Sequence, residues 1–217
     1  MNSKNAMEYN KGATMKMRII DITKPIEKGR KYYPTLQEPQ INYVKHYATG
    51  HDHWVSSILM PLHTATHIDA PAHFYEKGRT IDKIAVDELI GFAQVLDFSS
   101  EKVITKELLT RKNITTQIVL FKVNDDIENY TYVSEDAASY LVHKKIKILG
   151  TEAPSVDKFG DKTYRVHKLL SMHDVLIVEG LYLKNVEEGI YLFVCAPLLI
   201  LGVEASPARA FLIRIEN

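Results

Sequence analysis

The sequence predicts a single mixed α/β domain with a sizeable sheet. Segments rich in β-branched and aromatic residues outnumber helical patterns, and the clearest helical patterns fall in the second half of the chain. No linker, internal repeat or low-complexity segment divides the 217 residues, a length that suits one domain or at most two small ones. Because the helices do not alternate regularly with the strands, a strict βαβ fold is disfavoured.

Short apolar runs bounded by polar residues, Gly or Pro predict the strands. The first run, 17–22, reads MRIIDI, and the strongest run before the histidine-rich segment is 54–62. The predicted strands are 17–22, 40–47, 54–62, 92–98, 117–123, 147–150, 175–179, 191–195 and 211–215. The polar residues before the first strand predict a disordered leader at 1–16, so the folded domain is expected over 17–217.

Capping residues mark the start of two helices. Thr105 and Ser134 are typical N-cap residues, and each is followed in the first turn by acidic side chains that favour the positive end of the helix dipole. A third segment places Val166, Leu169 and Leu170 on one side of a helix. The predicted helices are 86–90, 105–112, 134–144 and 163–173.

Composition and charge argue against several classes of protein. Lys+Arg and Asp+Glu are 27 each, whereas a nucleic-acid-binding surface needs a basic excess or a basic stripe. The longest apolar stretch, 191–203, contains Pro197 and Gly202 and is shorter than the roughly 20 residues of a membrane-spanning helix. The first sixteen residues lack the apolar region of a signal peptide, and the single cysteine, Cys195, cannot form an internal disulfide. We therefore expect a cytoplasmic protein that acts on a small molecule and binds neither nucleic acid nor membrane.

Potential metal ligands are concentrated between residues 62 and 74, which read LHTATHIDAPAHF. His63, His67, Asp69 and His73 lie within eleven residues, and imidazole nitrogen and carboxylate oxygen are ligands that zinc and manganese accept. The four-residue spacing of His63 and His67 fits one face of a helix, but Pro71 and the β-branched neighbours disfavour a long helix. A tight turn that leaves a strand, with His67 and Asp69 on one side of an extended segment, is the other possibility.

A second pair of potential ligands lies further along the chain. His167 falls in a predicted helix, and Glu179 ends the strand that follows it. A helix that packs back on the sheet can bring both side chains to one site.

The pattern His63-x-x-Thr66-His67-x-Asp69-x-Pro71-x-His73 resembles the signature of the metal-dependent cyclase family, which includes bacterial kynurenine formamidases. The similarity continues in the segment GTEAPSVD at 150–157, in His167, and in Glu179 with the Gly and Leu that follow it. It continues again in APL at 196–198 and SPARA at 206–210. The resemblance thus runs through most of the chain from about Met17 onward.

The resemblance implies a swivelling β/β/α domain, with a mixed sheet or barrel-like core flanked by helices, that assembles as a homo-oligomer, either a dimer or a tetramer. It implies that His63, His67 and Asp69 hold one divalent metal, and that Asp69 bridges to a second metal held by His167 and Glu179. Zinc is the expected metal, with two ions per chain, and manganese is the alternative. The resemblance also implies that His73 transfers protons during catalysis.

The activity implied by the resemblance is metal-dependent hydrolysis of an aryl formamide by metal-bound hydroxide. N-formylkynurenine is the leading substrate, giving formate and kynurenine in tryptophan catabolism. One alternative is a mononuclear enzyme that acts on a cyclic amide, such as isatin, or on a lactone. The other is a non-catalytic protein that uses its metal for structure or ligand binding.

The sequence departs from the family signature at Ala65, where the family usually has glycine. If this position requires a positive φ, alanine is strained there, and if substrate passes close to the backbone, the methyl group narrows the pocket. Tyr33 and Trp54 are candidate substrate-binding residues because their rings can stack on an aryl group.

Overall fold

Seven strands close into a barrel, and an eighth strand extends the sheet outside it. This computed structural model describes residues 16–216. The strands are β1 (Lys16–Asp21), β2 (Gln40–Lys45), β3 (Val55–Leu59), β4 (His67–Asp69), β5 (Ile90–Asp97), β6 (Val103–Ile104), β7 (Ile118–Lys122), β8 (Tyr132–Val133), β9 (Ile148–Thr151), β10 (Leu176–Glu179), β11 (Gly189–Pro197) and β12 (Ala205–Glu216). The barrel order is β12-β11-β5-β7-β9-β10-β4, and β4 pairs again with β12 to close the ring. Strand β1 pairs with residues 211–216 of β12, beyond the part of β12 that pairs with β4.

The barrel has a parallel half and an antiparallel half. Strands β5, β7, β9 and β10 are parallel to one another. All other pairs in the sheet are antiparallel, including β5 with β11 and β10 with β4. In the parallel half both faces of the sheet are covered, so β7 is a continuous apolar run. Leu120 points into the barrel core, and Val119 and Phe121 point outward into a second core under the helices.

Three α-helices cover the outside of the parallel half. They are α1 (Lys106–Thr110), α2 (Glu135–His143) and α3 (Arg165–Met172). The side chains of Thr105 and Ser134 accept hydrogen bonds from the N–H groups of Leu108 and Ala137, so both predicted N-caps are present. Each helix buries at least one leucine in the second core, namely Leu109, Leu141 and Leu170.

The outside of the antiparallel half is not covered by any of residues 16–216. Along this face Ile19, Phe92, Ile190 and Ile215 are between 49% and 64% exposed. Strands β2 and β3 form a separate hairpin, and it too exposes large apolar side chains, including Tyr43, Trp54 and Leu59.

The predicted mixed α/β domain with a barrel-like core and flanking helices is confirmed. The segment predicted as a helix at 86–90 is a 3₁₀ turn, Val86–Leu89, and the predicted strand at 211–215 is the end of the longer β12. The predicted helix at 163–173 begins only at Arg165, because Tyr164 adopts a left-handed conformation with φ +49°. The predicted disordered leader lies outside the described residues, except for its last residue, Lys16, which begins β1. None of the helices within 16–216 combines the length and hydrophobicity needed to cross a membrane.

Candidate metal centre

Strand β4 provides two potential ligands and fixes the direction in which they point. Ile68 is fully buried in the barrel core, so its neighbours His67 and Asp69 point to the opposite, outer face. On the adjacent strand β10, Glu179 lies opposite His67 in the antiparallel register. His67 Nε2 lies 3.4 Å from Asp69 Oδ1 and 3.5 Å from Glu179 Oε2. Strand pairing alone therefore brings these three side chains together.

Helix α3 packs over this face and adds His167. Its Nε2 atom lies 3.2 Å from Glu179 Oε1 and 3.6 Å from Asp69 Oδ2. Its other ring nitrogen, Nδ1, lies 2.6 Å from Oδ2 of the buried Asp157. The helix that carries His167 thus packs back on the sheet and brings His167 to Glu179, as expected from the sequence.

The segments on either side of β4 contribute His63 and His73. His63 Nδ1 lies 2.9 Å from Asp69 Oδ1. His73 ends the 3₁₀ turn Pro71–His73, and its ring centroid lies 4.2 Å from that of His63 and 5.6 Å from that of His167. The structure thus brings together the six residues proposed as ligands or catalytic group, and it places His63 and His67 on a turn and a strand rather than on one helix.

Opposite charges decide the protonation of the cluster. Burial alone lowers the pKa of His67, but Asp69 and Glu179 raise it to about 9. Burial likewise opposes ionisation of Asp69, yet His67 and His63 hold the pKa of this carboxyl well below its usual range. His73 differs from the other histidines, because burial lowers its pKa to about 4 against the attraction of Asp69. At neutral pH His73 is therefore a neutral imidazole that can accept a proton.

The polar atoms of the cluster fit a divalent metal. Asp69 is 2% exposed, and the nitrogen and oxygen atoms that face its two carboxylate oxygens and Nε2 of His67 form ion pairs at 2.9–3.6 Å without well-aligned hydrogen bonds. Such buried polar atoms are costly unless something pairs with them. The potential ligand atoms of His67, Asp69 and Glu179 lie within 4.8 Å of one another, as do those of His63, Asp69 and His73. This mixed set of nitrogen and oxygen donors suits zinc or manganese.

Ala65 holds the turn before β4 in a conformation that favours glycine. Its φ is +56°, so the strain anticipated from the sequence is present. The turn also packs tightly against Gly180, where an added Cβ would lie 2.3 Å from the Ala65 carbonyl oxygen. That same oxygen lies 3.1 Å from Nδ1 of His67, so the strained turn directs the other ring nitrogen of His67 towards Asp69.

A cavity of about 260 Å³ opens beside the cluster. Its wall includes Tyr33, Phe74 and Tyr164, and the rings of Phe74 and Tyr164 lie 5.0 Å apart. Tyr33 is thus placed where the sequence analysis proposed a substrate-binding residue. Trp54 does not line this cavity, because it lies in the β2–β3 hairpin, where its ring contacts Tyr43 and His46.

Two residues near the cluster were given no role by the sequence analysis. Asp157 belongs to the segment GTEAPSVD, but nothing in that motif showed that its carboxylate faces His167. Glu204 precedes β12, and its Oε1 lies 3.2 Å from Nε2 of His63. No local pattern connects residues so far apart in the chain, so this contact was not predictable from sequence.

Comparison with known proteins agrees with this geometry. The family described as putative cyclase matches residues 20–158. The chain belongs to this family. The resemblance seen in the sequence is therefore confirmed.

Similar proteins include enzymes and proteins of solved structure. A kynurenine formamidase of Bacillus cereus is 30% identical over 200 residues, covering 88% of this chain and 95% of the relative. Cyclase-like protein 3 of Oryza sativa subsp. japonica is 34% identical over 176 residues, covering 73% of this chain and 65% of the relative. A solved structure of a potential metal-dependent hydrolase with cyclase activity is 35% identical, with a TM-score of 0.81 and coverage of 93% of this chain and 100% of the other. Isatin hydrolase A of Labrenzia aggregata shares the fold at 20% identity, with a TM-score of 0.82 and coverage of 92% and 94%.

The Ala65→Gly variant is expected to raise the free energy of unfolding by up to about 1 kcal/mol. The left-handed conformation costs an L-residue roughly 1–2 kcal/mol, while the greater freedom of glycine in the unfolded chain offsets about 0.4–1 kcal/mol of that gain. Urea unfolding measures the change. As the control, Ala137→Gly in α2 is expected to destabilise by about 1 kcal/mol or more. If Ala65→Gly lowered the free energy of unfolding as much as Ala137→Gly does, the conclusion that Ala65 is strained would be wrong.

Metal loading is expected to release protons. Because the pKa of His67 is about 9, the metal-free protein holds this proton at pH 7, and a cation must displace it. The affinity for Zn²⁺ should therefore rise about tenfold per pH unit for each proton displaced between pH 6 and 8. Calorimetry in buffers of different ionisation enthalpy counts the protons, and the exposed His173→Ala variant is the control. Binding without proton release would show that His67 is not a ligand.

Proposed function

We propose that this chain is a metal-dependent hydrolase that cleaves an aryl formamide, such as N-formylkynurenine, to formate and the free amine. The observation that carries the proposal is the buried Asp69 carboxylate, whose two oxygens face three histidines beside an aromatic-walled cavity. The kynurenine formamidase of B. cereus, which aligns over 88% of this chain, supports the same reaction. The reaction is expected to take place in the cytoplasm.

The two oxygens of Asp69 favour a centre of two ions. Oδ1 faces His63 and His67, and Oδ2 faces His167. In this proposal His63, His67 and Asp69 hold one ion, and Asp69, His167 and Glu179 hold the other. Zinc is the proposed metal and manganese the alternative. The same two-sided arrangement argues against the mononuclear alternative.

A bound divalent cation supplies Lewis-acid polarisation of the amide carbonyl and lowers the pKa of a water from 15.7 to about 7. The protein supplies the proton transfer. The neutral imidazole of His73 accepts a proton from the attacking water and returns it to the amide nitrogen as the C–N bond breaks. Formic acid and the free amine leave, the acid gives its remaining proton to solvent to become formate, and His73 is neutral again. A protein that used its metal only for structure would not need His73, so this residue favours an enzyme over the non-catalytic alternative.

The cavity suits an aromatic substrate that also carries a carboxylate. Tyr33, Phe74 and Tyr164 offer ring surfaces for an aryl group. Away from the metal cluster, the charged residues in its wall are Lys24, Arg30, Lys31 and Asp125. Lys24 pairs with Asp125, and Arg30 pairs with Glu27, so the positive charge that complements the carboxylate of an amino-acid substrate is chiefly that of Lys31.

The uncovered sheet face supports assembly into a homo-oligomer, with a dimer as the simplest form. Ile19, Phe92, Ile190 and Ile215 form a contiguous apolar surface across four strands, and a patch of this kind on a globular domain marks a contact with another protein. The separate β2–β3 hairpin adds further exposed apolar area, and an isolated two-stranded hairpin is only marginally stable. A second copy of the chain would cover both.

Metal-loaded protein is expected to hydrolyse N-formylkynurenine in an assay that monitors the reaction by absorbance. The His73→Ala variant should have a kcat lower by about 10²–10⁴-fold and an unchanged metal content. The matched control is His173→Ala, because His173 is an exposed histidine at the end of α3. Equal activity of the His73→Ala variant would remove His73 from the mechanism. If the wild-type protein binds metal but does not hydrolyse the formamide, isatin and lactones become the substrates to test.

The Phe92→Lys variant is expected to dissociate the oligomer. Phe92 is 64% exposed on β5, within the uncovered face, and a charge there opposes burial against a second copy. Light scattering after size-exclusion chromatography measures the mass. The control is Met172→Lys, at the 62% exposed end of α3. A wild-type protein that is monomeric at micromolar concentration would contradict the proposed interface.

A further inference from the structure

Two of the cluster histidines use opposite ring nitrogens to face Asp69. His63 directs Nδ1 towards Asp69, at 2.9 Å from Oδ1, whereas His167 directs Nε2 towards it, at 3.6 Å from Oδ2. A neutral imidazole carries its proton on one nitrogen and a lone pair on the other. Each ring can offer a lone pair to a metal only if its outer nitrogen holds the proton.

The outer nitrogen of each of these rings faces a carboxylate. His63 Nε2 lies 3.2 Å from Glu204 Oε1, and His167 Nδ1 lies 2.6 Å from Asp157 Oδ2. A carboxylate accepts a hydrogen bond and so keeps the proton on the nitrogen nearest to it. The third histidine, His67, is held by the carbonyl oxygen of Ala65 instead.

We propose that Glu204 and Asp157 are positioning residues that fix the ring orientation and tautomer of His63 and His167 for metal binding. This inference rests on the proposed metal centre. The proposal explains why His63 faces Asp69 with Nδ1 and His167 faces it with Nε2. In each ring the other nitrogen faces a carboxylate, that of Glu204 for His63 and that of Asp157 for His167.

The place of Glu204 in the fold suits this role. Its backbone carbonyl accepts a hydrogen bond from Ala70, at 2.8 Å, directly after β4. The residue is thus tied to the strand that carries His67 and Asp69. Its side chain is 40% exposed and contacts His63. Substitution of Glu204 therefore removes little packing.

Asp157 has a second task besides the contact with His167. Its carboxylate also accepts hydrogen bonds from the N–H groups of Val166 and His167, at 2.9 Å and 3.1 Å. It thereby stabilises the first turn of α3, whose N-cap residue, Tyr164, makes no side-chain capping bond. Substitution of Asp157 is expected to change both stability and metal binding, so Glu204 offers the cleaner test.

The experiment measures metal retention by Zn²⁺-loaded protein titrated with a chelator, for wild type, Glu204→Gln and Glu204→Ala. Glutamine keeps an oxygen that can accept the hydrogen bond from His63, whereas alanine removes it. We expect Glu204→Ala to weaken Zn²⁺ binding about 10–100-fold and Glu204→Gln to retain most of the wild-type affinity. The Co²⁺-loaded proteins give a second readout, because a reoriented His63 changes the visible absorption bands of the ion.

The exposed Glu76→Ala variant controls for the loss of one negative charge. Wild-type affinity in Glu204→Ala would overturn the proposal, and so would equal losses in Glu204→Gln and Glu204→Ala, because that result assigns the effect to charge alone. Neither readout requires a substrate. Failure of wild-type protein to bind Zn²⁺ would refute the proposed metal centre itself, whereas binding without formamide hydrolysis would leave the positioning role intact.

For Asp157→Ala, which removes the acceptor, we expect a similar loss of Zn²⁺ affinity accompanied by a lower melting temperature of the loaded protein, since the start of α3 is weakened as well. Glu204→Ala should lower the affinity without that separate effect on α3. An Asp157→Ala variant that melts earlier but binds Zn²⁺ with unchanged affinity would limit Asp157 to its role in α3.

Discussion

The alternation of side chains along the three residues of β4 is the constraint on which the rest of the structure depends. This short strand pairs with β10 on one edge and with β12 on the other, and so closes the barrel. The same pairing sends Ile68 inward and His67 and Asp69 outward. A shift of register by one residue would exchange the two faces, placing polar side chains in the apolar core and an isoleucine in the metal centre. The closure of the fold and the assembly of the site are thus one event.

The cluster is stabilised as a set rather than as separate pairs. Burial opposes every charge in it, yet the attraction between imidazolium and carboxylate groups overcomes that cost for His67, Asp69, His167 and Glu179. Removal of one partner leaves an uncompensated charge in the interior, which is far more costly than removal of a whole pair. His73 stands outside this balance, because burial dominates at its position. One group of neighbouring residues therefore contains both tightly held charges and a neutral base.

Local features of the sequence predicted much of this arrangement. Apolar runs and capping residues located the helices and most strands, and the spacing of His67 and Asp69 allowed for an extended segment with both on one side. The strain at Ala65 was also anticipated, because the family signature usually has glycine at this position. The features that were not predicted depend on distant parts of the chain. They are the contact of Glu204 with His63, the pairing of β12 with β4, and the position of Trp54 in the β2–β3 hairpin, away from the cavity. Their causes are packing and strand pairing, which no local pattern encodes.

Closure of the barrel by β12 also bears on how the protein is made. The segment with His63, His67 and Asp69 is synthesised before β10 and before Ala205–Pro207, which pair with the two edges of β4. Until those strands are made, both edges of β4 are unpaired, and the side chains of this segment are not yet held in place. His167 and Glu179 also follow later in the chain, so the cluster around Asp69 is complete only when β10 and β12 have paired with β4. Synthesis of the later strands, and not of the histidine-rich segment itself, therefore sets the time at which this cluster can form.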